Sequence, residues 1–354
     1  MAAARLGYRC HILTREHDSP AAQVSHGVTI SDYTDPPSLR AFAAAVDVIS
    51  FEFENVSAEG LDLLASLKPV RPAPAILRIS QDRIAEKSFV NSRGIATAPW
   101  RPVGSLVELQ AAAVALGLPA VLKTTREGYD GKGQAILRMA ADLPPAFERL
   151  TPKPLILEGF IDYAAELSVV VGRGADGAVA AFDTVENRHR EHILDLTFAP
   201  ARVPVAVSEA AQSIARELAC GLDLIGLLAV EMFVDADGHV LVNEIAPRPH
   251  NSGHWTIDAC PMSQFELHIR AIAGLPLPPA TRHADAVMKN LVGPEEAALW
   301  PRILATPGFI PHLYGKDVAR PGRKMGHVTR LFPKGALPGE FGVADALGFL
   351  TQRG

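Results

Sequence analysis

The sequence predicts a mixed α/β chain, α+β overall, in three parts: a parallel-sheet domain over residues 1–78, a central domain over 79–274 and a small, mostly β domain over 275–354. Three observations predict it. Short apolar runs alternate with helical periodicity between residues 8 and 66, the pattern of strand-helix-strand crossovers in a doubly wound sheet. Two proline-rich passages, Pro69-Val-Arg-Pro-Ala-Pro74 and Leu275-Pro-Leu-Pro-Pro279, punctuate the chain. Past the second passage only short strand-like runs and turns remain.

Length and composition agree with this division. At 354 residues, 48% of them hydrophobic, the chain exceeds one ordinary core. A net charge of −5 argues against a general nucleic-acid or membrane-surface binder. No apolar run reaches membrane length. Cys10, Cys220 and Cys260 are scattered, odd in number and free of CxxC spacing, which fits a reducing cytoplasm.

Residues 1–6 read as the last turns of a helix closed by Gly7, with a strand at 8–13. Because so short a helix cannot nucleate alone, the chain enters partway through a strand-helix unit, and the natural protein is expected to begin about 20 residues upstream with an apolar strand and a glycine-rich turn. Strands at 28–30 and 46–50 alternate with helices at 37–45 and 57–66. Glu52 and Glu54 follow the third strand, where open α/β sheets bind ligands.

In the central part, helices are expected at 82–93, capped by Gly94, and at 106–116. The strand from residue 120 ends at Lys123 and runs into Glu-Gly-Tyr-Asp-Gly-Lys-Gly-Gln at 127–134, a loop whose glycines let backbone N–H groups approach phosphate oxygens. Its spacing is not that of a P-loop. Strands at 155–160 and 165–171 carry Glu158 and Glu166; a turn at Asp176-Gly177 leads to a strand at 178–185 and the polar run 186–192, which reads as a solvated loop. Helices follow at 208–219 and at 263–273, the second ending at Gly274.

Between those helices lies the most informative stretch, residues 231–254. Two apolar arms flank Asp237-Gly238, a two-residue turn signal. Counting outward from that turn makes Glu231 the direct partner of Glu244. Like charges placed opposite one another destabilise a sheet, so the pair makes most sense as a divalent cation site, and hard oxygen ligands favour magnesium. Zinc held by His250 and His254 is the rival reading. The terminal part is expected to hold strands at 286–292, 311–313 and 326–330, with a basic turn at 315–324 that suits a phosphate monoester.

Lys123, the loop 127–134, residues 158–161 and above all Asn-Glu-Ile-Ala-Pro-Arg-Pro-His-Asn-Ser-Gly-His at 243–254 together resemble the ATP-grasp superfamily. More narrowly, with the Arg-Pro-Gly-Arg-Lys turn at 320–324, they resemble its 5-(carboxyamino)imidazole ribonucleotide synthases over nearly the whole chain. The resemblance implies a Rossmann-like pre-ATP-grasp domain lacking its first strand-helix unit, an ATP-grasp domain, and a ligase of purine biosynthesis that activates bicarbonate with ATP and carboxylates 5-aminoimidazole ribonucleotide. Family members open with a Gly-x-Gly-Gln-Leu-Gly-like turn, and this sequence starts after it.

By the same resemblance, Arg83 and Lys123 contact ATP, and Gly128, Tyr129, Asp130, Gly131, Lys132, Gly133 and Gln134 close over its phosphates. Glu158, Gly159, Phe160, Ile161 and Glu166 hold adenine and ribose, and His189 is the matching position in the polar run. Glu231 and Glu244 carry magnesium beside Asn243, while Arg248, His250 and Asn251 hold bicarbonate. Tyr129, Asp130 and Lys132 face the imidazole ribonucleotide, with Asp130 as the base; Glu54, Ser252, Lys316, Arg323 and Lys324 complete the substrate contacts. A cytoplasmic homodimer is implied. Two other functions stay open at this point: a formate-dependent glycinamide ribonucleotide transformylase, and a nucleotide-binding protein without catalysis.

Overall fold

The computed structural model describes residues 1–17, 19–126 and 133–351. In chain order its strands are β1 (His11–Thr14), β2 (Gly27–Ile30), β3 (Trp100–Val103), β4 (Ala120–Thr124), β5 (Gln134–Leu137), β6 (Leu155–Gly159), β7 (Tyr163–Arg173), β8 (Val179–Ala181), β9 (Val185–Arg190), β10 (Ile193–Ala199), β11 (Gly226–Asp235), β12 (Val240–Ala246), β13 (Asp285–Val292), β14 (Phe309–Leu313) and β15 (Lys324–Phe332). Among the described residues they form three sheets. β1 and β2 pair in parallel; β3-β6-β4-β5 is a four-stranded antiparallel sheet; a 9-stranded sheet runs β12-β11-β7-β9-β10-β13-β15-β14, with β8 beside β7. The class is mixed α/β, as expected.

The large sheet is organised on β7 and β11, which alternate strictly because successive strand residues point to opposite faces. Leu167, Val169 and Val171 with Leu228, Val230 and Met232 pack towards Ala211, Ala215 and Leu218 of the helix Val205–Gly221. Val170, Leu227 and Ala229 face the other way, onto Trp255 and onto Leu267 of the helix Gln264–Ala273. Gly172 permits that approach, since a Cβ there would lie 2.8 Å from Leu267 Cγ. Each buried Val or Leu contributes about 1.5–3 kcal/mol. Two opposed carboxylates cost about 1 kcal/mol or less. The core therefore wins, and the sheet holds Glu231 opposite Glu244.

That pairing is reached by a route the turn signal does not describe. Asp235 N–H donates to His239 O at 3.0 Å and Gly238 N–H to Asp235 O at 3.1 Å, so the connection is three residues long. Within that connection only Gly238 has positive φ, at 85°. This is a hairpin with one left-handed glycine, not the two-residue turn expected from Asp237-Gly238. It shifts the register by one, to Val234 with Val240, and an irregularity between Glu231 and Met232 restores Glu231 to Glu244. Two one-residue offsets cancel.

Two further expectations change. Residues 46–50 make a single parallel bridge, Ile49 to Val70, and the segment is held by burial of Ile49 and Phe51 among Leu39, Leu61, Leu64 and Leu77. The passage from Pro69 is pinned on both sides: Ile49 N–H donates to Pro69 O at 2.9 Å, Arg71 Nη1 donates to Ile272 O at 2.7 Å, and Pro74 begins a helix, Pro74–Ser80, absent from the sequence reading. In the terminal part β13, β15 and β14 continue the large sheet through β10. Helix ends follow the caps more closely: Asp82 accepts from Ile84 and Ala85 N–H, and Gly274 is left-handed at φ 74°. Among the described residues no helix is long and apolar enough to cross a membrane.

Candidate active site

A cleft of roughly 520 Å3 lies between the four-stranded sheet and the large sheet. One wall carries Lys123 from β4 and Glu158, Gly159, Phe160 and Ile161 from the end of β6; the other carries Glu166 of β7, His189 of β9, Glu231 of β11, and Asn243 and Glu244 of β12. Arg83, at the start of the helix Arg83–Ser92, lies at the join, and Gln134 closes one edge. Glu54, Arg248, His250, Asn251 and Lys324 complete the lining.

On the first wall the dominant charges are cationic. Lys123 Nζ donates to Glu158 Oε2 at 2.9 Å, and Lys87 Nζ, fully buried, stands 3.4 Å from the same oxygen. Burial pushes the Glu158 carboxyl up, but Lys123, Lys87 and Arg83 outweigh it and hold it below the ordinary value. Burial likewise depresses the Lys123 ammonium, helped by Arg83 and Lys87 and opposed by Glu158. Glu158 Oε1 is buried and has no hydrogen-bond partner among the described residues. Lys87 escapes sequence reading because a lysine on an amphipathic helix normally marks the solvated face.

On the second wall the charges are anionic. Burial, then the facing Glu244, push the Glu231 carboxyl up to about 8. Glu86, beneath Glu244, is also raised to about 8, by burial and by Glu244, although it accepts Ile245 N–H at 2.6 Å. Arg83 Nη1 approaches Glu244 Oε2 at 3.6 Å. Glu86 has no signal in the sequence, since its partner lies 159 residues away. The polar run expected as a loop is instead strand, and it brings His189 Nδ1 onto Glu166. Burial lowers the His189 imidazole, but Glu166 more than compensates and raises it overall.

Where the chain leaves β12, Arg248 Nη2 donates to Glu54 Oε2 at 2.9 Å. Burial raises the Glu54 carboxyl, and Arg248 opposes the shift. His250 Nε2 stands 3.1 Å from Glu231 Oε1. Burial, followed by Arg248 and Lys324, holds that imidazole well below its ordinary value, hence neutral. Asn251 and Asn290 exchange amide hydrogen bonds at 3.0 and 2.6 Å, which fixes the Asn251 plane.

Several expected residues lie elsewhere. Ser252 does not face the cleft: it is fully buried, with its hydroxyl engaged by Ser168 at 2.7 Å and His250 at 2.8 Å. Gly133 lies off the lining, its carbonyl accepting Thr124 N–H at 2.9 Å. In the basic turn Lys324 reaches the cleft, whereas Lys316 Nζ donates to Lys324 O at 2.7 Å and Arg323 Nη1 to Val318 O at 2.8 Å, both bracing the turn. Gly128, Tyr129, Asp130, Gly131 and Lys132 fall outside the described residues. The zinc alternative gains nothing: the metal-spaced clusters among the described residues, Asp258 with His312 and His327 and Asp235 with Asp237 and His239, include neither His250 nor His254.

The chain that builds this two-sheet cleft matches three known domain families. The ATP-grasp domain matches residues 88–265, the ribonucleotide synthetase preATP-grasp domain residues 1–81, and the phosphoribosylaminoimidazole carboxylase C-terminal domain residues 286–336. The fold and cleft are thus those of an ATP-grasp enzyme. An N5-carboxyaminoimidazole ribonucleotide synthase of Brucella melitensis biotype 1 is 49% identical over 336 residues, covering 94% of this chain and 92% of that protein. Among solved structures, an N5-carboxyaminoimidazole ribonucleotide synthetase in complex with ADP superposes with a TM-score of 0.90 at 39% identity, covering 93% of this chain and 88% of that one. An Aspergillus clavatus N5-carboxyaminoimidazole synthase, in complex with ADP and 5-aminoimidazole ribonucleotide, gives 0.90 at 31% identity, covering 99% and 93%. The chain belongs to the N5-carboxyaminoimidazole ribonucleotide synthase family.

Proposed function

We propose that this protein uses ATP to carboxylate the exocyclic amine of 5-aminoimidazole ribonucleotide, by way of carboxyphosphate formed from bicarbonate. The observation that carries this reading is the register of Glu231 opposite Glu244 in a cleft whose other wall presents Lys123, with Arg83 at the join. Attack of a bicarbonate oxygen on the γ-phosphorus releases ADP, and attack of the amine on the carboxyl carbon then releases phosphate. Both steps need alignment and charge compensation more than covalent help.

Lys123 and Arg83 supply fixed positive charge to the nucleotide phosphates. Glu158 tethers Lys123 through Oε2 and keeps Oε1 as an acceptor for the adenine amino group, while Glu166 suits the ribose hydroxyls. Glu231 and Glu244, directly opposed in the sheet, offer hard carboxylate oxygens, and with Asn243 beside them they fit magnesium. Bound there, the ion would neutralise developing phosphate charge. Arg248, His250 and Asn251 leave β12 next to that pair and would hold bicarbonate; Asp130 is proposed to take the amine proton, with Tyr129 and Lys132 against the ribonucleotide. The same reading carries a cytoplasmic homodimer, which sedimentation of the purified protein checks.

The deciding experiment measures ADP release with bicarbonate, formate or neither, each with and without 5-aminoimidazole ribonucleotide. Release that needs both bicarbonate and the ribonucleotide supports the proposal; stimulation by formate, or none by either acid, overturns it. For the basic turn, Arg323→Ala is expected to raise KM for the ribonucleotide ten- to a hundred-fold, the equivalent of about 1.5–3 kcal/mol for one charge-assisted contact, with KM for ATP within about twofold. Equal effects on both substrates would make the turn structural.

A further inference from the structure

Behind His250 runs a line of buried polar side chains that the chemistry above does not use. Thr197 Oγ1 donates to Asn187 Oδ1 at 3.0 Å, and Asn187 Nδ2 donates to Ser168 Oγ at 2.9 Å. Ser168 Oγ then donates to Ser252 Oγ at 2.7 Å, which meets His250 Nδ1 at 2.8 Å, and His250 Nε2 reaches Glu231 Oε1 at 3.1 Å. Thr197, Ser168 and Ser252 are 0% exposed and Asn187, at the cleft's edge, 4%, so the line is shielded from bulk water. The strands explain the placement. Ser168 of β7 lies directly opposite Glu231 of β11, and Asn187 of β9 opposite Thr197 of β10, so the line crosses the sheet beneath the cleft.

Hydroxyls and amides can reverse, but one donor in the line cannot. The Ser252 backbone N–H points at His250 Nδ1, 3.3 Å away. Nδ1 therefore keeps its lone pair, and the ring proton belongs on Nε2. With Nδ1 an acceptor, the Ser252 hydroxyl donates to it and must itself accept from Ser168; the remaining directions follow in turn.

We propose that Thr197, Asn187, Ser168 and Ser252 form a positioning relay that fixes His250 as its Nε2–H tautomer, commits that proton to Oε1 of Glu231, and leaves the second carboxylate oxygen for the cation. Outer partners of this kind set the orientation of first ligands and typically change metal affinity or activity ten- to a hundred-fold when removed. The proposal rests on the magnesium assignment for its effect on turnover, whereas the tautomer stands independently of it.

The test records nitrogen–proton correlation spectra of histidine-labelled, metal-free protein, with the His250 signal identified by its loss in His250→Gln. The wild-type ring should show the Nε2–H tautomer alone. Ser252→Ala and, more remotely, Ser168→Ala should mix the tautomers and raise the magnesium concentration for half-maximal ADP release about tenfold, with KM for the ribonucleotide unchanged. Thr197→Val, which keeps the shape and removes only the terminal donor, guards against loss of folding and should act in the same direction more weakly. An Nδ1–H tautomer in the wild type, or a pure Nε2–H signal with unchanged magnesium response in both serine variants, overturns the relay. Correct tautomers in a protein that ignores bicarbonate would instead count against the proposed reaction alone.

Discussion

Glu244→Gln should lower ADP release by at least about a hundredfold while the protein remains folded, because one of two carboxylates proposed to hold the cation is gone and several kcal/mol of charge stabilisation go with it. Its stability should change in the opposite sense when metal is absent. Glu231 has a folded value of about 8 against an ordinary 4.5, so between those two values the folded protein binds more protons than the unfolded chain and loses stability as pH rises. Burial is the larger cause and Glu244 the next. Glu86, also raised to about 8 by burial and Glu244, adds in the same direction. Without the Glu244 charge both penalties shrink. In EDTA the variant's melting temperature should therefore fall less than the wild type's between pH 5 and 9; added magnesium should raise the wild type's and leave the variant's unchanged. Near-normal ADP release, or equal magnesium stabilisation of both proteins, would remove the cation from this pair.

Arg248→Ala is the second large effect. Arg248 bridges from the chain beyond β12 to Glu54, both side chains about a quarter exposed, at 23% and 29%. Losing the guanidinium removes a proposed bicarbonate ligand and strands a half-buried carboxylate, so kcat should fall about a hundredfold, and stability by about 1–3 kcal/mol. Glu54 is already raised by burial against the pull of Arg248, and without that pull it goes higher. The stability deficit should thus be greatest in alkaline solution and shrink as pH falls through the folded value of Glu54. Adding Glu54→Gln should recover the stability and not the rate. An active Arg248→Ala protein, or a deficit independent of pH, would contradict this account.

Local signals carried a good part of the structure. The helices expected from residues 82 and 263, with Gly94 and Gly274 as their ends, are chemistry within a few residues, and each lies within a residue of where that chemistry puts it. Glu231 and Glu244 were legible too, although the hairpin reaches their pairing through a longer turn and a compensating irregularity. What stayed hidden depends on contacts distant in sequence. Glu86 and Lys87 look like surface charges until the helix that bears them is laid against β12 and β6. Ser252 sits beside His250 and Asn251, which line the cleft, yet its own hydroxyl turns inward onto His250 and onto Ser168, 84 residues earlier. Residues 186–190 are polar yet form strand, because Asn187 satisfies its amide on Ser168 and Thr197 inside the sheet.

The continuity of the large sheet bears on how the protein tolerates being divided. β13 pairs with β10 from Leu196–Lys289 to Ala199–Ala286, and Asn290 reaches across to Leu194 O at 2.8 Å. Phe198, wholly buried, packs among Val287, Leu291 and Val328. A polypeptide ended at the second proline passage would keep the residues of both cleft walls except Lys324, and yet expose β10 as a long edge of unpaired amides above an uncovered phenylalanine. Such a fragment should self-associate on purification, and a separately expressed piece spanning β13 to β15 should restore its solubility by adding its strands back to that edge.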